Sequence, residues 1–427
     1  MTYKHTAFSR LSLVALLLIG LYSCNEPPPS EPEQSLPQAP ESVRVGAELL
    51  VGQYLDSLKG KKVAVVGNHT TKFENGTHLV DSLLSLGVDI RHAFAPEHGF
   101  RGTADAGAKI KDGKDSLTGL TVYSLYGKNR KPAQSQVEGL DWVIFDIQDV
   151  GSRHFTYIST MALVMEACAE AEVGVIVLDR PNPNGWYVEG PMMQKKHTSF
   201  IGAHEVPIVH GMTIGEYASM LVGEKMLDTK DSLKLWVVPM EHYQHQMRWE
   251  DTGLEWPTPS PNMASVRAAY LYPALCWFEP TPISLGRGTD SAFTFMGAPW
   301  LELADTMEVY GMQLIPFEFT PRSLPGKSTY PKFQDEACQG IDFAGEVSGD
   351  SVLLLGIWLM KELYEQAPNK NGFFNRNFDI WTGYDSFREE IRKGDSPEDI
   401  WARWQEDLLK FKEVRGKYVM YGKEAAV

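Results

Sequence analysis

Four short apolar runs constrain this chain more than any other feature: Lys61-Lys-Val-Ala-Val-Val-Gly67, Val88-Asp-Ile-Arg-His-Ala-Phe94, Trp142-Val-Ile-Phe145 and Gly174-Val-Ile-Val-Leu178. Runs of this length, bounded by glycine or polar clusters, read as strands buried on both faces. Between and after them, Thr77 to Leu86, Tyr157 to Ala171 and Thr213 to Leu221 carry helical apolar spacing. The last of these opens with Thr213 three residues before Glu216, the pattern of a capping box. Strands separated by helices predict an α/β fold built on a parallel sheet covered on both sides. Ligands of such sheets bind outside the carboxyl ends of the strands, so the loops at 67–71, 95–102, 146–154, 179–190 and 239–242 are expected on one rim.

No Gly-x-Gly-x-x-Gly or P-loop fingerprint follows the first run, where Gly67-Asn-His-Thr-Thr71 stands; no nucleotide cofactor is expected. With 427 residues, 43% of them hydrophobic and 22% charged, the chain can bury a sizeable core. Its 55 acidic side chains outnumber 40 basic ones, for a formal charge of -15, and no basic block offsets them. Nucleic acid is therefore not an expected partner.

Residues 1–23 have the form of a lipoprotein signal peptide. Lys4 and Arg10 precede the apolar run from Leu11 to Tyr22, too short for a comfortable membrane span. Leu21-Tyr-Ser-Cys24 resembles a lipobox, with Cys24 as the acylated residue of the mature protein. Residues 24–40 include EPPPSEPEQSLPQAP, a flexible Pro/Glu-rich tether. The expectation is a cell-envelope protein, periplasm-facing or on the cell surface, held to the membrane through its N-terminal lipid only.

The parallel-sheet domain is assigned to 41–250 and a smaller C-terminal α+β domain to 251–427. The stretch 251–290 is rich in Pro, Gly and aromatics, as in Trp256-Pro-Thr-Pro-Ser-Pro-Asn262, and reads as a fixed irregular loop closing over the rim. Beyond it, Val352-Leu-Leu-Leu355 reads as a strand, and Trp401, Trp404, Leu408 and Phe411 as one helix face. Cys168, Cys276 and Cys338 are far apart, consistent with one bridge and a thiol or with three buried thiols.

Chemistry concentrates in three clusters. In Phe94-Ala-Pro-Glu-His-Gly-Phe-Arg-Gly102, Pro96 fixes the chain leaving a strand, while Gly99 and Gly102 permit tight turns that present Glu97, His98 and Arg101 together. A shielded carboxyl there can protonate a glycosidic oxygen. Phe145-Asp-Ile-Gln-Asp-Val-Gly-Ser-Arg-His-Phe-Thr-Tyr157 supplies Asp146, Gln148, Asp149, Arg153 and Tyr157; its carboxylates serve either as a second acid/base group or as partners of Arg153. Leu178-Asp-Arg-Pro-Asn-Pro-Asn-Gly185 and Glu189-Gly-Pro191 add Arg180, Asn182 and Glu189, suited to sugar or carboxylate contacts. His210 is a further contact or a loop residue. His69, His98, His154 and His210 lack metal-ligand spacing, so no metal is assigned. No Gly-x-Ser-x-Gly elbow points to a serine hydrolase.

These motifs, with the Asn68-His-Thr70 loop, His210-Gly-Met-Thr-Ile-Gly-Glu216 and Gly286-Arg-Gly-Thr289, occur in one order from about Leu58 to Tyr421. In that combination the chain resembles the exo-beta-N-acetylmuramidase family. The resemblance implies a Rossmann-like N-terminal domain, a smaller C-terminal domain, and release of N-acetylmuramic acid from non-reducing ends of peptidoglycan fragments. The resemblance places the catalytic glutamate at Glu97; beside it, the residues themselves are read with His98 and Arg101 orienting it and one of Asp146 or Asp149 assisting. It places Asn68, His69, Arg101, Gln148, Arg153, Tyr157, Arg180, Asn182, Glu189, His210 and Arg287 toward the substrate. The lactyl carboxylate of a muramoyl saccharide needs cations, for which Arg101, Arg153, Arg180 and Arg287 are the candidates. One departure stands out: Glu279-Pro-Thr-Pro282 replaces the family's usual Glu-Gly-Thr-Asn.

Two other classes are distinguishable. A non-catalytic sugar-binding lipoprotein tolerates replacement of Glu97, and a metal-dependent esterase or deacetylase loses turnover with chelator.

Overall fold

Alternate residues of the central strands face two different cores, which is how a short apolar run becomes a strand covered on both sides. In β1 (Lys62–Gly67), Val63 and Val65 join one core while Ala64 and Val66 join the other. The computed structural model describes residues 41–101, 112–349 and 351–422. The signal segment, Cys24, the tether and Gly102 lie outside the described residues.

The larger sheet contains β1, β2 (Asp89–Ala95), β3 (Gly113–Lys114), β4 (Thr121–Ser124), β5 (Trp142–Asp146), β6 (Gly174–Leu178) and β7 (Leu235–Val238). Its order is β3-β4-β2-β1-β5-β6-β7, parallel except for the β3–β4 pair. The chain builds outward from β1 to β2 and β4, then crosses back to set β5 on the other side of β1. That reversal opens a crevice at the carboxyl ends, where ligands of such sheets bind. The helices follow it: α2 (Leu79–Ser85) packs with α1 (Gly46–Gln53) on one face, and α4 (Tyr157–Glu170) with α5 (Ile214–Gly223) on the other. The short α3 (Gln134–Val137) lies against α4. Thr213 caps α5, its Oγ1 accepting from Glu216 N at 3.3 Å while Glu216 Oε2 accepts from Thr213 N at 2.9 Å. The α/β, Rossmann-like expectation is thus met, with β1, β2, β5 and β6 at the four apolar runs and β3, β4 and β7 added by the structure.

The smaller sheet is antiparallel, in the order β8-β11-β10-β9, from β8 (Phe295–Ala298), β9 (Met307–Val309), β10 (Met312–Phe319) and β11 (Cys338–Ala344). Behind it α6 (Val266–Leu275) packs on α7 (Val352–Gln366). A single apolar core runs from Phe145 and α4 through α6 to Leu314 and α7, and residues from Glu41 onward form one compact unit.

Three local expectations change. Val352–Leu355 is the first turn of α7, not a strand: buried residues recur at Val352, Leu355, Leu359 and Leu363, and a four-residue apolar run cannot distinguish the two periods. The Pro-rich stretch holds a ten-residue helix, α6, despite Pro273 inside it. The terminal helix face is divided between Pro397–Ala402 and Gln405–Gly416. Cys168, Cys276 and Cys338 are all free and buried.

Candidate active site

Beyond β2 the chain turns at Pro96, with Gly99 N donating to Pro96 O at 3.2 Å. His98 takes φ +70°, a left-handed conformation that costs a residue with a Cβ about 1 kcal/mol or more. Glu97 is therefore held at the crest of a strained turn. β4 pairs in parallel with β2, and Leu125 N reaches Ala95 O at 2.8 Å, so Tyr126 emerges beside Glu97. The Tyr126 hydroxyl hydrogen-bonds the Glu97 side chain.

The Trp256-to-Asn262 segment is fastened over this rim. His69 Nε2 lies 2.7 Å from Thr258 O, and the Tyr157 hydroxyl donates to Pro259 O at 2.8 Å. Asn262 Nδ2 donates to Lys327 O at 2.8 Å. The result is a cavity of about 230 Å³ whose lining includes Glu97, His98, Tyr126, Tyr157, Tyr272 and Arg287. Arg130, His154, Phe155, Thr156, Phe200, Ile201, Ser260, Met263, Phe293 and Trp381 complete it among the described residues.

Burial, and behind it the charge of Glu97, pushes the phenols of Tyr126 and Tyr157 above the ordinary tyrosine range; for Tyr272 the nearby Cys276 and Glu279 add to burial before Glu97 does. All three hydroxyls consequently remain protonated, that of Tyr157 donating to Pro259 O. Burial works against the charge of Glu279, yet Arg287 and Lys332 hold its carboxyl below the usual range. Arg287 Nε and Nη2 lie 2.9 and 2.7 Å from Glu279 Oε1. The Lys332 ammonium meets the carbonyls of Phe278, Glu279, Thr281 and Ile283 at 2.8–3.2 Å. The departure Glu279-Pro-Thr-Pro282 is therefore a stiff loop wrapped around one cation.

Of the residues expected from sequence, the cavity gathers Glu97, His98, Tyr157 and Arg287. Asn68 sits behind it, Nδ2 donating to the Tyr157 hydroxyl at 3.0 Å, and His69 anchors the covering segment. The others lie outside the lining. Asp146 is fully buried and holds Arg180 through contacts of 2.6 and 2.9 Å. Asp149 accepts from Gly151 N at 2.7 Å, and burial pushes its carboxyl up to about 7. Gln148 donates to Asp149 O and Pro181 O. Arg101 is shared by Asp81 and Asp115. Arg153 is spent on the carbonyls of Pro191, Val206 and Thr382. Asn182 joins Asn184 N to Met212 O, Glu189 accepts from Gly190 N, and His210 Nδ1 accepts from Met212 N. Polar groups leaving buried strands are spent largely on one another and on nearby backbone, although Asp149 Oδ1, Arg153 Nε and His210 Nε2 stay buried without a hydrogen-bond partner.

Sequence reasoning missed Tyr126 and Arg130 because it did not recognise the four-residue β4. The available signal was Thr121-Val-Tyr-Ser124 followed by the basic Lys128-Asn-Arg-Lys131 in an acidic chain. Phe200, Tyr272 and Trp381 carried no local signal. Among the described residues no three His, Cys, Asp or Glu side chains are grouped to hold a metal. His154, for one, is turned to Trp381 O at 2.6 Å and Cys276 Sγ at 3.1 Å.

Known proteins are similar to this chain along most of its length. Residues 63–267 match the family described as exo-beta-N-acetylmuramidase NamZ, N-terminal, and 270–421 its C-terminal counterpart. Peptidoglycan beta-N-acetylmuramidase NamZ of Bacillus subtilis (strain 168) is 34% identical over 413 residues, spanning 96% of this chain and 98% of that protein. Two crystal structures of DUF1343 family proteins from Bacteroides fragilis NCTC 9343 superpose with TM-scores of 0.77 and 0.79 at 37% and 31% identity. Each covers 90% of this chain and all of its own. Matched in both halves and along nearly its whole length, this chain belongs to the exo-beta-N-acetylmuramidase family.

Proposed function

We propose that this protein is an exo-acting glycoside hydrolase that releases N-acetylmuramic acid from the non-reducing ends of peptidoglycan fragments, with Glu97 as its general acid. Family membership favours a hydrolase over a non-catalytic sugar-binding protein. The observation that carries the acid assignment is Glu97 on a strained turn at the sheet's carboxyl rim, facing a covered cavity. At about 230 Å³ that cavity is smaller than the roughly 300–1,000 Å³ of ordinary ligand pockets. It suits one terminal sugar, as exo action requires.

In this reading Glu97 donates its proton to the glycosidic oxygen as the bond to the anomeric carbon breaks. The leaving saccharide departs neutral, water adds to the oxocarbenium-like centre and gives up one proton, and Glu97 regains a proton before the next turnover. Tyr126, bonded to Glu97, orients its carboxyl. The test compares soluble residues 41–427 with Glu97→Gln on a MurNAc-GlcNAc disaccharide, following free MurNAc by mass spectrometry. Release by wild type and near-abolition in the folded variant are expected; equal release by both removes Glu97 from the role.

The N-terminal pattern supports a lipid-anchored place in the cell envelope, and release of free N-acetylmuramic acid fits a part in cell-wall recycling. Cys24→Ser is expected to abolish incorporation of labelled palmitate into the full-length protein. A variant that still takes up the label ends the anchor assignment.

A further inference from the structure

Within the proposed muramidase reading, the four arginines that the sequence offers for the lactyl carboxylate are not equally available. Arg101 is held by two aspartates, Arg180 by Asp146, Arg287 by Glu279, and Arg153 by three carbonyls. Arg101, Arg153 and Arg180 lie outside the cavity lining, and Arg287, which lines it, is already neutralised by Glu279.

Arg130 is different. It lines the same cavity as Glu97, is solvent-exposed, and has no carboxylate within ion-pair distance among the described residues. Its guanidinium lies over the Phe200 ring, 4.1 Å from the centroid. Phe200 itself sits at the tip of a tight turn closed in both directions, Ser199 N to Gly202 O and Gly202 N to Ser199 O, each at 3.0 Å. Stacking on a fixed ring orients a planar fork without using its N–H donors. The neighbouring Lys131 is committed to Glu166 and Glu170, so it does not duplicate this role. Arg130 and Glu97 both act on Tyr126, the first lowering and the second raising its proton affinity, which puts cation and acid around one hydroxyl.

We propose that Arg130, stacked on Phe200 at the cavity mouth, binds the carboxylate of the muramoyl lactyl ether and thereby selects muramoyl over glucosaminyl saccharides. The sugar ring enters beneath the 256–262 segment, its glycosidic oxygen at Glu97 and its lactyl carboxylate on the Arg130 fork. N-acetylglucosamine, which has the same ring without the lactyl group, gains nothing from this contact.

The experiment measures turnover of 4-nitrophenyl β-N-acetylmuraminide and 4-nitrophenyl β-N-acetylglucosaminide by wild type, Arg130→Gln and Arg130→Lys. It also measures calorimetric binding of free N-acetylmuramic acid and N-acetylglucosamine. Arg130→Gln is expected to lower kcat/KM for the muraminide roughly tenfold to hundredfold, the range for a charge-assisted hydrogen bond. The loss should appear mainly in KM, with an unchanged melting temperature and no loss on the glucosaminide; Arg130→Lys should fall between. Wild-type kinetics and wild-type N-acetylmuramic acid binding in Arg130→Gln would overturn the assignment. A wild type that turns over neither substrate yet binds N-acetylmuramic acid through Arg130 would sink the hydrolase reading and leave the carboxylate site standing. An inactive wild type with no Arg130-dependent binding would sink both.

Discussion

The loops after β5 and β6 and the loops after β2 and β4 leave the same rim of one sheet, yet they spend their polar residues in opposite ways. The first pair carries Asp146, Gln148, Arg153, Arg180 and Asn182. Its groups are turned on one another and on nearby backbone. The second pair carries at least as many ionisable residues, among them Glu97, His98, Arg101, Lys128, Arg130 and Lys131, and it delivers Glu97, His98, Tyr126 and Arg130 to the cavity. Density of ionisable residues along a rim is therefore a weak guide to the reacting centre. A buried strand end needs that density simply to satisfy its own backbone and charges.

The sharpest way to break this comparison is to remove one carboxylate from each pair. Glu97→Gln should lose roughly 10²–10⁴-fold in kcat with little change in melting temperature, since Glu97 is only partly buried. Asp146→Ala should do the reverse. It strands Arg180, which is 5% exposed, at a cost of roughly 3–5 kcal/mol. Folded Asp146→Ala should retain turnover within a few fold at 25 °C, read by urea denaturation alongside initial rates. Catalytic collapse in a stable Asp146→Ala protein would return this residue to the chemistry.

A smaller effect sharpens the same contrast through pH. Asp149 keeps its proton up to about pH 7 in the folded protein because burial disfavours its charge, whereas the ordinary value is 3.8. Between those values the folded state binds more protons than the unfolded one, so this group makes stability fall as pH rises through the window. Asp149→Asn removes that slope. Its melting temperature should match wild type within about 2 °C at pH 4 and exceed it by roughly 2–4 °C at pH 8. An equal difference at both pH values would show that ionisation of Asp149 is not the cause.

Much of the fold was legible because its signals are local. The runs at Lys61–Gly67 and Gly174–Leu178 and the Thr213/Glu216 cap each declare themselves within a few residues. Val352–Leu355 misled because four residues are too few to separate a period of 2 from one of 3.6. The site was half legible. Pro96, Glu97 and Gly99 form a turn whose chemistry is written in sequence order, while β4 was too short to announce Tyr126.

The sequence by itself determined the parallel sheet, its rim and the turn that carries Glu97, since strand burial, helix caps and turn geometry depend on near neighbours. Only the tertiary structure decided which charges were already paired. Asp146 meets Arg180 from 34 residues away, and Arg153 reaches Thr382 across 229. It also decided that Phe200, Tyr272 and Trp381 converge on one cavity. Ion pairing and cavity closure are set by distance in space, which no local pattern of residues encodes.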